Sequence, residues 1–407
     1  MPNQHQVAEE DLRAALAAER AYSTQVEAAR SLGLNRSTYI HRLSLARRLD
    51  TAPHDDLAGL KYKLKTLEAE LSQARENQIT ARLIRREIIG MRDAALAQTP
   101  PQWTQKIKRG GKGNPLTPMT IWSDWHWGEV VTRAQVNGLN EYNLEIAHAR
   151  ADKLLESTIK LCLNYTVHGE YPGFVLALGG DMVSGTIHDE IVRSNEKPIM
   201  PVVADLYGVL LRGIKALREH FGRVYVVGVV GNHGRTSAKP HFKNHVHENY
   251  DWLVYNLLAK HFEDDPDVTF TVPESSDAYF SVWAHRFLLT HGDRLGVAGG
   301  DGIIGALGPI MRGSFKTRNS SAAVGLDFDT LVLGHWHQYI PLPRVIVNSA
   351  LKGFDEFAKD KLRATPERAQ QALWFVHPEN GIVSQMAVYC DEKDVPRDRP
   401  WTSWASE

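Results

Sequence analysis

The sequence predicts an α/β fold, a layered sandwich of two β-sheets flanked by helices, preceded by a small helical unit and a spacer helix. Three observations predict it. Short apolar runs recur at 119–122, 174–178, 224–227, 286–290 and 330–333, each the length of a buried strand. Segments with helical spacing of apolar residues, at 142–167, 198–221 and 244–262, lie between or beside them. Beyond residue 268 the pattern turns mostly to strand, at 268–272, 279–283, 345–348, 373–377 and 383–389. Alternating strands and helices followed by strands imply sheets stacked with helices outside.

Bulk composition limits the rest. A chain of 407 residues has room for one catalytic domain and something smaller. Its 47 Lys and Arg nearly balance 48 Asp and Glu, so any nucleic-acid patch must be local. The two cysteines, Cys162 and Cys390, have neither metal nor disulfide spacing, which suits a reducing cytoplasm. The start is polar, and no run of about 18 apolar residues occurs, so a soluble, unexported protein without membrane contact is expected.

In chain order, residues 1–50 read as a helical unit. A helix over 8–21 is followed by Ser23 and Thr24, which can cap a second helix carrying Val26, Ala28, Ala29 and Leu32. Gly33 supplies a tight turn, and Asn35 or Ser37 caps a third helix with Tyr39, Ile40, Leu43 and Leu45 on its apolar side. The run Ala28 to Thr38 resembles the helix-turn-helix of DNA-binding regulators. By that resemblance the third helix reads DNA through Arg36, Ser37, Thr38, His41 and Arg42, with Arg47 and Arg48 near phosphates. A helical bundle for protein contact is the alternative.

Residues 51–98 form the expected spacer: Leu57, Leu60, Leu64, Leu67, Leu71 and Ala74 step by three and four as in a heptad seam, then a basic helix follows. It either packs on a second copy, giving a homodimer through 57–96, or lies across the catalytic domain. Residues 99–115 read as a linker, 116–391 as the catalytic domain and 392–407 as a tail without periodicity.

The chemistry gathers at the strand ends. The first run leads into Asp124-Trp-His126, the second into Gly180-Asp181, and the third into Gly231-Asn232-His233. The fourth leads into His291 and the fifth into Gly334-His335-Trp-His337. Residues at the carboxyl ends of neighbouring strands converge on one rim of a sheet, where open α/β sheets bind ligands. In this order and combination the five blocks resemble the calcineurin-like metallophosphoesterases.

That resemblance implies a dinuclear hydrolase of phosphoesters. Asp124, His126, Asp181 and His337 would hold one divalent cation, and Asp181, Asn232, His291 and His335 the other, with Asp181 as the bridge. Manganese suits the mixed nitrogen and oxygen donors, with iron, zinc and magnesium as alternatives. A hydroxide between the cations would attack the phosphorus, and His233 would stabilise or protonate the leaving oxygen. His188 and Asp189 could reach substrate or hydrogen-bond within a loop; Trp125, Trp127 and Trp336 could stack on a base or pack around the site.

The Asp-Arg-Gly of the superfamily's protein phosphatases is missing, since Asp181 is followed by Met182-Val-Ser. The pattern is closer to the SbcD-type DNA repair exonucleases, a branch that also recurs in bacteriophage genomes, and some of these act with a partner ATPase. A metal-dependent DNA nuclease or exonuclease is the leading expectation. The alternatives are a phosphatase of nucleotides or small phosphoesters, and a DNA-binding protein whose metal domain is structural.

Overall fold

The computed structural model describes residues 9–50, 100–104, 116–164, 171–295, 305–362 and 365–391. The spacer helix with its dimer seam, most of the linker and the tail lie outside the described residues. The chain divides into two units, Met1–Glu87 and Ile88–Glu407.

Within the first unit, helices α1 (Glu9–Ala21), α2 (Gln25–Ser31) and α3 (Arg36–Asp50) close on a small core of Ala15, Ala18, Ala28, Ala29, Tyr39 and Leu43. Alanines let the three helices approach closely, and Tyr39 fills the centre. Thr24 caps α2 by accepting from the Glu27 N–H at 3.3 Å, and its hydroxyl donates to the Glu27 carboxylate at 2.8 Å. Asn35 caps α3, accepting from Thr38 N–H at 2.8 Å. Between α2 and α3, Gly33 takes φ +66, a conformation open to glycine at little cost.

The second unit is mixed α/β, with two mixed sheets flanked by helices. Its strands are β1 (Thr117–Trp122), β2 (Phe174–Leu178), β3 (Val224–Gly228), β4 (Val268–Thr271), β5 (Asp277–Val282), β6 (His285–Thr290), β7 (Thr330–Leu333), β8 (Ile340–Leu342), β9 (Val345–Val347), β10 (Gln370–His377) and β11 (Gly381–Tyr389). One sheet runs β11-β10-β1-β2-β3-β4 and the other β5-β6-β7-β9-β8. The strands β1 to β4 are parallel, with β10 antiparallel on β1. In the second sheet β6, β7 and β9 are parallel.

Burial explains the strand compositions. The central strands β1, β2 and β3 are buried on both faces and are accordingly apolar almost throughout, whereas edge strand β5 alternates buried and half-buried residues. Met119, Ile121, Val175, Ala177, Tyr225 and Val227 of one sheet meet Phe280, Phe287, Leu289, Val332 and Ile346 of the other. The opposite face of the first sheet, with Trp122, Phe174, Leu176 and Val226, is covered by α4 (Leu144–Asn164), α6 (Ile199–Phe221) and α7 (Tyr250–His261). A short α5 (Asp189–Ser194) precedes α6. Over the second sheet lies α8 (Leu307–Ala322), whose Ile310 packs with Leu288, Leu331 and Val345.

Two features differ from the sequence reading. Helix α8 was not expected, because its outward side carries Leu307, Met311 and Phe315 while its buried side includes Gly313, Ser314 and Ser321, the reverse of the usual pattern. Residues 102–104, within the stretch read as linker, form a 3₁₀ turn that belongs to this body: the Trp103 ring fills the space a Cβ on Gly173 would occupy, and Trp283 N–H donates to Thr104 O at 2.6 Å.

Candidate metal centre

Seven residues expected as metal ligands follow five strands, three in one sheet and two in the other. Asp124 and His126 follow β1, Asp181 follows β2 and Asn232 follows β3; His291 follows β6, and His335 and His337 follow β7. The sandwich therefore brings the carboxyl ends of both sheets to one rim.

Backbone hydrogen bonds zip these loops together. Asp124 N–H donates to Gly180 O at 3.0 Å, His126 N–H to Asp181 O at 3.1 Å and Leu351 N–H to Asp124 O at 3.2 Å. The carboxylates are held too: Asp124 Oδ1 accepts from His335 N–H at 2.9 Å, and Asp181 Oδ1 from His233 N–H at 2.6 Å. Among the described residues, nine other than glycine have positive φ, and Asp124, His126, Asp181, His335 and His337 are five of them. Such backbone strain persists where surrounding bonds over-determine it, and it concentrates at functional sites.

Close approach explains two glycines of the motifs. A Cβ on Gly231 would stand 2.1 Å from Asp181 Oδ1, and one on Gly334 would stand 2.2 Å from Asp124 Oδ2. Each glycine makes room for a ligand carboxylate.

Two groups of donor atoms result, each lying within 4.8 Å: Asp124, His126 and His337 form one, Asp181, His291 and His335 the other. Both groups draw on both sheets. In the first, His126 Nε2 and His337 Nε2 are 3.1 Å apart, and His337 Nε2 is 3.5 Å from Asp124 Oδ1. In the second, His291 Nε2 is 3.0 Å from Asp181 Oδ2.

The donor set fits divalent cations. Carboxylate, amide oxygen and imidazole are gathered without thiolate, the mixture that borderline metals accept. His291 donates Nδ1–H to Gly179 O at 2.8 Å, which fixes the ring and leaves Nε2 as the inward atom. That Nε2 lies against the Asp181 carboxylate, and the Asn232 Oδ1 is buried and makes no hydrogen bond. Buried polar atoms of this kind call for a partner.

Electrostatics agree. Burial opposes the charge on Asp124 and Asp181, yet His337 beside the first and His291 beside the second hold both carboxyls below the usual range, Asp181 well below it. Burial pushes His126 and His335 down to about 4, so both imidazoles are neutral at pH 7 and keep a nitrogen lone pair for a cation. For His291 burial acts downward, but the Asp181 and Asp124 carboxylates outweigh it and raise the pKa well above the ordinary value.

Around the ligands stand residues the sequence reading did not single out. Asp251, buried in the first turn of α7, accepts from the N–H groups of Asp181, Gly231 and Met182 at 3.0, 3.0 and 3.2 Å. Burial, then the charge of Asp181, raises its pKa to about 7. Its place in the first turn of a helix, where acidic residues are common, gives no sign of this role in the sequence. Glu129 lies 3.3 Å from His126 Nδ1, accepts from the Ser184 hydroxyl at 2.9 Å and binds buried Lys352 at 3.0 Å, while Lys352 reaches Asp355 at 2.6 Å. Ser123 donates to Asp124 Oδ2 at 2.5 Å and accepts from Asn348 Nδ2 at 2.8 Å.

His233 stands at the edge of the cluster. Its ring centroid is 4.7 Å from that of His126, and its Nδ1 lies 3.1 Å from Ser184 O, the geometry of an N–H donating to that carbonyl. Burial lowers its pKa. His188 is exposed at the start of α5, with its ring 5.6 Å from that of His233. Trp125 and Trp127 are buried in the helix-covered core and donate to Gln371 and Asp205, so packing is what these two do; Trp336 is half-buried against the second sheet.

In the helical unit Arg36, Ser37 and His41 are exposed, Thr38 is half-buried, and Arg42 is tied to Asp11 at 3.1 Å. No helix among the described residues is long and apolar enough to cross a membrane. Comparison with protein-family models and with curated proteins finds no match to this chain.

Proposed function

We propose that the chain is a calcineurin-like metallophosphoesterase that hydrolyses phosphodiesters with two divalent cations, manganese first among them, and that its polymer substrate is DNA. The observation that carries this reading is the pair of Asp and His groups, each drawn from both sheets, with Asp181 Oδ2 3.0 Å from His291 Nε2 and Asp181 O accepting from His126 N–H at 3.1 Å. Asp124, His126 and His337 would hold one cation, and Asn232, His291 and His335 the other, with Asp181 shared. Bound cations supply Lewis-acid charge and an activated water at neutral pH.

The chain's own residues do the rest. Glu129 orients His126, the Gly179 carbonyl orients His291, and Asp251 fixes the backbone that carries Asp181 and Asn232. His233, with Nδ1 facing Ser184 O, has Nε2 left for substrate; once that Nε2 has taken up a proton from solvent, the imidazolium would give it to the leaving oxygen and return to the neutral ring. The helical unit supports DNA as the polymer, through the exposed Arg36, Ser37 and His41 of α3. Joined covalently, such a unit raises the effective concentration of the hydrolase near its polymer.

Hydrolysis of bis-p-nitrophenyl phosphate and of end-labelled DNA with and without manganese tests the proposal. Metal-dependent turnover of both is expected, with His233→Ala lowering kcat by about 10²-fold or more while manganese binding persists. Turnover of p-nitrophenyl phosphate alone would instead mark a phosphomonoesterase.

A further inference from the structure

Beside the metal centre lies a recess that the chemistry above leaves unused. Asn232, Arg235, His241, His245, Asp293 and Arg294 line it, so it opens onto an expected metal ligand. Two segments build it, the loop that follows Asn232-His233 and the pair Asp293-Arg294 that follows His291.

The loop is cationic, with Lys239 and Lys243 exposed. Arg235 shapes its wall, donating to Ser237 O at 2.9 Å and Ala238 O at 3.1 Å. Arg294 clamps the loop from the other side, donating to His241 O at 3.2 Å, and its guanidinium lies 6.0 Å from the centroid of the Phe242 ring. Phe242 is 89% exposed, more than any other large hydrophobic residue described.

A bare phenyl ring beside cations, on the loop that follows an expected metal ligand, is suited to an unpaired nucleotide. The cations meet the backbone phosphate while the ring stacks on the base. In a duplex both faces of a base are already stacked, so only an unpaired base offers a free face. Asp293, 3.6 Å from Arg294, and Glu248, 3.4 Å from His241, offset part of the positive charge.

We infer that the loop surface over this recess binds an unpaired nucleotide next to the scissile phosphate, with Phe242 stacking on its base and Arg294 facing its phosphate, so that the hydrolase acts on single-stranded nucleic acid. The inference rests on the diesterase reading above. Its test compares kcat/KM of the full chain with manganese on a short unstructured thymidine oligonucleotide and on the same strand with abasic positions. Wild type is expected to prefer the strand that carries bases by roughly ten-fold, the size of one base–aromatic stack. Phe242→Ala should bring that preference close to one, Phe242→Trp should keep it, and Arg294→Ala should raise KM for both strands.

A preference that survives in Phe242→Ala, or its absence in wild type, overturns the inference while bis-p-nitrophenyl phosphate hydrolysis leaves the diesterase reading standing. If wild type hydrolyses neither strand nor the small diester, both readings fall together.

Discussion

Five of the seven expected metal ligands sit where the backbone is bent into the left-handed region. Positive φ at Asp124, His126, Asp181, His335 and His337 is unfavourable in isolation, and it is held by the N–H to carbonyl and N–H to carboxylate bonds that join the loops. A methyl group at Gly231 or Gly334 would collide with a ligand oxygen. Gly231→Ala and Gly334→Ala are therefore each expected to weaken manganese binding at least 10-fold, as loss of groups supporting metal ligands does; unchanged affinity by calorimetry would contradict the placement of those carboxylates. The raised pKa of His291 gives a sign to the pH dependence. It carries a proton at pH 7 that a cation must displace, so metal binding releases a proton and weakens as pH falls. Calorimetry in buffers of different ionisation heat should detect that release, and heats independent of buffer would refute it.

At the scale of elements, the ligand loops could be read from sequence because each follows a short apolar run that is a strand for an evident reason: it is buried on both faces. The same logic hides Asp251, Glu129 and Lys352, whose roles depend on which distant loop they meet. Spacing along the chain carries no trace of Lys352 lying between Glu129 and Asp355. Helix α8 escaped for a different cause, since Leu307, Met311 and Phe315 face outward while Ile310 shares the buried side with the small residues Gly313, Ser314 and Ser321. Lys352→Met would leave the carboxylates of Glu129 and Asp355 buried without their cation. It should cost about 3–5 kcal/mol and lower the Tm by at least about 5 °C, seen in thermal unfolding; a stable variant would show that the ion cluster is dispensable. Phe315→Glu, on the exposed side of α8, should leave the Tm nearly unchanged, whereas Ile310→Ala should cost about 2–5 kcal/mol.

At the scale of the molecule, the proposed function assigns separate chemistry to the two units of the chain. In the helical unit Arg36 is free to meet phosphate while Arg42 is paired with Asp11, so Arg36→Ala should weaken binding to duplex DNA more than Arg42→Ala, by fluorescence anisotropy at low salt. Equal losses would place the DNA contact elsewhere. The candidate metal centre depends on the meeting of the two sheets, because each of its Asp and His groups draws on both. Anomalous diffraction from crystals soaked in manganese tests this most directly. Two peaks about 3.5–4 Å apart are expected, one among Asp124, His126 and His337, the other among Asn232, His291 and His335, with Asp181 between them. No peak at this rim, or manganese bound elsewhere on the unit, would contradict the account.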